Sequence, residues 1–158
     1  CTFSAGFPKA LAEGRLDLAV HEVGRVGPGM ELLWAEPISW AGSRAHSVQR
    51  DDPMPVALFD RACWWRDVAI SSLGDSGRRY RIAYSSETST GVAAAIRAGI
   101  AVGVLNNSAI QDDLVTLSPA EGFPDLPPSF LVIERREGAD PALCTAMSDS
   151  LRRAFSRA

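Results

Sequence analysis

The sequence predicts an α/β fold, and three observations carry it. Residues 55–107, PVALFDRACWWRDVAISSLGDSGRRYRIAYSSETSTGVAAAIRAGIAVGVLNN, alternate short apolar strands with helical stretches. The alanine-rich stretch Thr90–Ala98 suits close packing on a sheet, and Gly99 stops it. The apolar run IAVGVL then ends in a polar pair, Asn106 and Asn107. Ligands of open α/β sheets bind at the carboxyl ends of such strands. Binding rather than chemistry is therefore the first expectation.

The elements follow in order. Thr2 and Phe3 are strand-like, and Phe7–Glu13 forms a short helix with Pro8 in its first turn. Gly14 supplies a left-handed stop, and Leu16–Val20 reads as a buried strand. Residues 21–29 are a glycine-rich loop. Met30–Ala35 and Ile38–Ala41 are strands hinged at Glu36 and Pro37, where proline implies an edge or a break in pairing. Residues 42–54 lose apolar periodicity and read as a crossing between two lobes. A helix over Arg61–Leu73 places Ala62, Trp65, Ala69 and Leu73 at helical spacing, and Trp64 widens its apolar surface. RIAYS is a strand, and Ser86 or Thr88 is placed to cap the helix after it. Leu114–Leu117 and Phe130–Glu134 are strands around a turn-rich stretch. Asp140 and Pro141 mark a helix start. Leu143, Met147, Leu151 and Phe155 then form the apolar stripe of an amphipathic helix.

The chain has 158 residues, 46% hydrophobic and 22% charged, which allows one domain or two small lobes with a sizeable core. A net charge of −3 argues against this chain alone holding nucleic acid. The arginines at 152, 153 and 157 suit the last turns of a helix. Cys1, Cys63 and Cys144 are widely spaced, so neither a zinc site nor a disulfide framework is indicated. Cys63 and Cys144 read as core residues of a protein in a reducing compartment, the cytoplasm. No apolar run is long enough to cross a bilayer, and no secretory signal opens the chain. CTFSAG begins as if inside a strand, without an initiator Met, and reads as a cut.

Catalytic motifs are absent. His21 and His46, the two histidines, have no Ser or Cys partner in a recognised context. There is no GxSxG elbow, GxGxxG or P-loop. Lys9 is the only lysine, which disfavours Schiff-base chemistry. The expectation is a protein without catalytic residues, metal or cofactor. Asp17, between two leucines, reads as structural, bonded to backbone or to an arginine.

Three stretches in this order resemble the effector-binding domain of LysR-type transcriptional regulators. LAEGRLDLAV at 11–20 is similar to that family's glycine and Leu-Asp-Leu-Ala signature. PVALFDRACWWRDVAISSL at 55–73 is similar to its second segment, and RIAYSSETSTGVAAAIRAGIAVGVL at 81–105 to its strand, polar loop, helix and strand. The chain departs from the pattern at Asn106, where the family has proline. The winged helix-turn-helix is unmatched, as are the domain's first strand and helix, roughly forty residues of about two hundred.

The resemblance implies a two-lobe α/β fold like the type 2 periplasmic binding proteins, with two crossover strands. Lobe I would be 1–43 plus 110–158, and lobe II 44–109. A small organic acid would bind in the cleft between lobes. The protein would form a homodimer or higher homo-oligomer. It would reach DNA only through the absent N-terminal domain, and would not contact membrane. The expected effector-binding residues are Ser4, Trp40, Ser85, Ser86, Glu87, Thr88, Asn106 and Asn107. Each also has a plainer reading. Ser4 caps a helix, Trp40 packs a core, 85–88 is a capped loop with Glu87 solvated, and the asparagines make a turn. A periplasmic-type solute-binding protein and a small α/β hydrolase using His21 or His46 are the rival readings.

Overall fold

The computed structural model describes residues 6–60 and 63–155. The chain divides into two compact units, Pro37–Pro128 and the residues flanking it, which run up to Glu36 and on from Ser129. The strand-like Thr2 and Phe3 lie outside the described residues.

The first unit opens with α1 (Phe7–Ala12), which carries proline in its first turn. Gly14 follows at φ 70°, the left-handed stop expected of it. The amides of Arg15 and Leu16 still bond back to the Ala10 carbonyl. That closure delays the next strand, so β1 is Leu18–Val23 rather than 16–20. β2 (Met30–Glu36) and β8 (Ser129–Arg135) complete an antiparallel sheet in the order β1-β8-β2. Asp17 accepts two hydrogen bonds from the Arg136 guanidinium, the structural role its sequence position implies.

α4 (Pro141–Phe155) starts where expected, with Asp140 Oδ1 accepting from the Ala142 amide at 2.8 Å. Its buried row differs from the expected stripe. Cys144 and Ser148 are buried, whereas Leu143 and Met147 are 58% and 51% exposed. Polar contacts set this rotation. Arg135 of β8 donates to Ser148 Oγ and to Glu31, and Arg152 donates to Glu31. Those bonds turn the 144–148–152 row toward the sheet.

The second unit is a five-stranded sheet in the order β5-β4-β6-β3-β7. Its strands are β3 (Ile38–Ser43), β4 (Met54–Phe59), β5 (Tyr80–Ser86), β6 (Val102–Asn106) and β7 (Leu114–Thr116). β4 runs parallel to β5 and β6, while β3 is antiparallel to β6 and β7. Pro37 thus marks a break in pairing, because β2 and β3 belong to different sheets. The division between units also differs from the expected boundaries at 43/44 and 109/110. β3 and β7 hydrogen-bond within the second sheet, which draws residues 37–43 and 110–128 into that unit.

Helices α2 (Trp64–Asp75) and α3 (Ser89–Arg97) cover this sheet. Trp65, Ala69 and Leu73 of α2 pack with Met54, Val56 and Leu58. Val92, Ala93 and Ile96 of α3 pack with Ala57 and Leu105. A strand alternates its side chains between faces, so β4 is apolar throughout because both faces are covered. Gly103 admits α3 to the sheet. A Cβ there would lie 2.9 Å from Val92 Cγ1 and 3.0 Å from the Ala57 carbonyl.

Overpacking of this kind costs about 1–3 kcal/mol. Gly103→Ala is expected to lower unfolding stability by about that amount, read as a shifted urea midpoint with unchanged slope. A midpoint equal to wild type would show that α3 moves away freely.

Candidate functional site

The parallel pairing of β4 with β5 and β6 puts the carboxyl ends of all three strands along one edge of the second sheet. Those ends are Phe59, Ser86 and Asn106. The loop 85–88 and the pair Asn106–Asn107 therefore share an edge. They are separated by β4, or about 10 Å at the usual strand spacing. The structure brings together six of the expected residues: Ser85, Ser86, Glu87, Thr88, Asn106 and Asn107.

The loop is held by its own hydroxyls. Thr88 is the N-cap of α3, with extended backbone and Oγ1 accepting from the Gly91 amide at 3.1 Å. The Thr88 amide donates to Ser86 Oγ at 3.2 Å, and the two hydroxyls lie 3.4 Å apart. Ser86 is half-buried, while Ser85, Glu87 and Thr88 are exposed. The loop is also tied to the neighbouring strand, because the Asp60 amide donates to the Ser86 carbonyl at 3.0 Å. On the other side, Asn106 pairs with Ile38, and the Asn107 amide donates to the Pro37 carbonyl.

Two residues at this edge escaped sequence reasoning. Arg66, in the first turn of α2, donates from its guanidinium to the Phe59 carbonyl at 2.9 Å. It sets a positive charge at the end of β4. Asp60 follows Phe59 and is exposed there. The available signal was positional: both flank the end of the central apolar strand, where the strand-end rule applies.

Trp40 does not join this edge. It is 1% exposed, packs on Phe123 at 5.7 Å between ring centroids, and donates its indole N–H to Ser72 Oγ at 3.2 Å. Its ring and its polar atom are both engaged in the core of the second unit, which is the plainer of its two readings. Ser4 lies outside the described residues.

The histidines have structural surroundings. His21 is buried in the first unit, with Nε2 2.9 Å from Glu134 Oε2 and the Phe7 ring edge-on at 6.0 Å. The exposed His46 packs against Gly99, where φ is 68°. Cys144 is buried in α4, whereas Cys63 is half-buried just before α2. No group of three or more His, Cys, Asp or Glu is arranged to hold a metal among the described residues. No helix among them is long and apolar enough to cross a membrane.

Gly91 is what lets Ser86 sit at the helix terminus. A Cβ at position 91 would overlap Ser86 Oγ and approach Ser86 Cβ to 2.9 Å. Gly91→Ala is expected to expel the Ser86 side chain while α3 persists. Amide hydrogen exchange checks this: protection at Thr88 should fall at least tenfold, with protection from Val92 to Ile96 retained.

Comparison with known proteins identifies the family and the fold. A family model described as the LysR substrate binding domain matches residues 2–156. The HTH-type transcriptional regulator DgdR of Burkholderia cepacia is 27% identical over 142 residues, covering 90% of this chain and 48% of that protein. The HTH-type transcriptional regulator PecT of Dickeya dadantii is 25% identical over 148 residues, covering 94% and 47%. The chain thus spans about half the length of these relatives. The bromide-bound regulatory domain of HypT from Salmonella typhimurium superimposes with a TM-score of 0.81 at 12% identity, over 99% of this chain and 81% of that one. The CcmR regulatory domain of Synechocystis PCC6803, in complex with 2-PG, gives 0.71 at 13% identity over 98% and 80%. The fold is the type 2 periplasmic-binding-protein-like α/β fold of these regulatory domains. The chain belongs to the LysR substrate binding domain family.

Proposed function

We propose that this chain is the effector-sensing part of a longer bacterial transcriptional regulator. DNA contact is made by another part of that protein, and this part performs no catalysis. The names of the relatives support a regulator over the solute-binding and hydrolase alternatives. The observation that carries the reading is the shared strand-end edge of the second sheet. It gathers two hydroxyls, two side-chain amides, the N-terminus of α3 and the Arg66 guanidinium.

That set matches a small carboxylate bearing further hydroxyl or carbonyl groups. Helix N-termini favour anions, and arginine suits carboxylates. Asp60 and Glu87 bear on selectivity. An acidic group facing inward disfavours ligands of high negative charge and favours hydroxylated monoacids. The complex of the CcmR domain with 2-PG supports a small-molecule effector. The reading places the protein in the cytoplasm as a homodimer or higher homo-oligomer, since dimeric helix-turn-helix proteins bind two DNA half-sites.

A thermal-shift screen against hydroxylated and aromatic monocarboxylates tests the reading. A ligand at one hundred times its Kd adds about 2.7 kcal/mol. For any ligand found, Ser86→Ala and Asn106→Ala should each weaken binding about 2- to 10-fold. Arg66→Gln should weaken it more than 10-fold, as the loss of a charged hydrogen bond implies. Unchanged affinity in Ser86→Ala and Asn106→Ala would show that the ligand binds elsewhere.

A further inference from the structure

We infer that the effector of the strand-end edge is an aromatic monocarboxylate, and that Phe59 is the ring against which it packs. This rests on the reading of that edge as the effector site and names the class of molecule it takes. Phe59 is the last residue of β4 and is half-buried. It packs against the α2-side core, with Leu58 and Trp65, and against the α3-side core, with Ala57 and Val92. Helices thus close both faces of the sheet around its ring, and the part left exposed opens along the carboxyl edge. The other large side chains of β4, Met54, Val56 and Leu58, are at 2% exposure or less. Phe59 is where this buried strand offers apolar surface to a ligand.

Aromatic neighbours hold that ring in place. The buried Trp65 meets Phe59 edge-on, at 5.1 Å between centroids and 74° between planes. Trp64, half-buried in the first turn of α2, meets Trp65 at 6.0 Å and 75°. Rings so arranged attract one another beyond the area they bury, through the quadrupoles of their π-systems. The series Trp64, Trp65, Phe59 therefore ends at the edge in a pre-positioned ring, and a further aromatic ring extends it.

Charge lies beside the same residue. Arg66 donates to the Phe59 carbonyl at 2.9 Å, a bond that takes one of the guanidinium's several N–H donors. A carboxylate takes two such donors in parallel. Ser86 is the sheet partner of Phe59, so polar substituents on the ligand ring meet the Ser86–Thr88 pair. A flat ring carrying its carboxylate rigidly reaches these groups without the rotamer freedom that an open-chain acid loses on binding. Asp60, exposed at the same strand end, disfavours a second carboxylate.

Isothermal titration calorimetry of the 158-residue chain with benzoate and with cyclohexanecarboxylate decides the matter. It compares wild type with Phe59→Leu, Phe59→Trp and Arg66→Gln, each first shown to be folded by near-ultraviolet circular dichroism. The two acids share their charge and nearly their size, so the ratio of their affinities reads the π-system. A packing defect that weakens both acids leaves that ratio unmoved. The expected result is a wild-type preference for benzoate of about 2- to 10-fold, lost in Phe59→Leu and kept in Phe59→Trp. Equal affinities in wild type, or a preference that survives in Phe59→Leu, overturn the inference. If Arg66→Gln still abolishes binding in that case, the edge stands as the effector site. Binding that Arg66→Gln leaves unchanged overturns the site reading and the inference with it. Binding of neither acid overturns the inference alone.

Discussion

The second unit depends on one constraint: β4 must be buried on both faces. Met54, Val56 and Leu58 turn to α2, and Ala57 turns to α3, all at 2% exposure or less. A strand in that position is best flanked by parallel neighbours whose return connections are helices lying on the sheet. Pairing β4 in parallel with both β5 and β6 meets the requirement, with α2 and α3 as the crossovers. The choice of small residues follows. Ala57, Ala93 and Gly103 line the α3 face, where bulkier side chains would hold the helix off. Parallel pairing also fixes direction, so three strands end together. The candidate site is therefore a by-product of how the core is closed.

The first unit is organised differently. Its sheet is antiparallel, and its C-terminal helix is oriented by polar groups as well as apolar ones. Glu31 receives both Arg135 and Arg152, and Ser148 is fully buried against Arg135. Exposed ion pairs contribute little singly, but geometry that is partly buried and shared among several groups contributes more. Here it selects which face of α4 looks inward.

That difference explains what could be seen in the sequence. In the second unit, period and punctuation were sufficient. The apolar runs of β4 and β6, the alanine-rich α3 and its Gly99 stop are local signals, and the elements lie within a few residues of their expected bounds. The α4 stripe misled because 143–147–151–155 and 144–148–152 are adjacent rows of one helix. The choice between them was made by Arg135 and Glu31, more than 100 positions apart in sequence. Trp40 carried both a core and a ligand-floor reading, and its partners Ser72 and Phe123 are long-range contacts that the sequence does not name. The strand ends at Ser86 and Asn106 were legible because an apolar run giving way to polar residues is a local signal. Arg66 was not, because its role is set by a bond to the backbone of a different element.

Hydroxyl chemistry makes the capped-loop and ligand-binding readings of Ser86 and Thr88 compatible. A hydroxyl has one proton to donate and two lone pairs to accept with. Thr88 uses a lone pair for the Gly91 amide, and Ser86 uses one for the Thr88 amide. Both capping bonds draw on acceptor capacity alone. Across their 3.4 Å separation one hydroxyl can donate to the other, and the second keeps its proton for another acceptor. The cap thus fixes two oxygen positions and leaves a donor, which is the half of hydroxyl chemistry an anion requires. Gly91 makes this possible, because a side chain there would take the space of Ser86. A capping motif that tightened α3 by itself would need only Thr88. The presence of Ser86 beside it, in room made by a glycine, is what the cap alone does not call for.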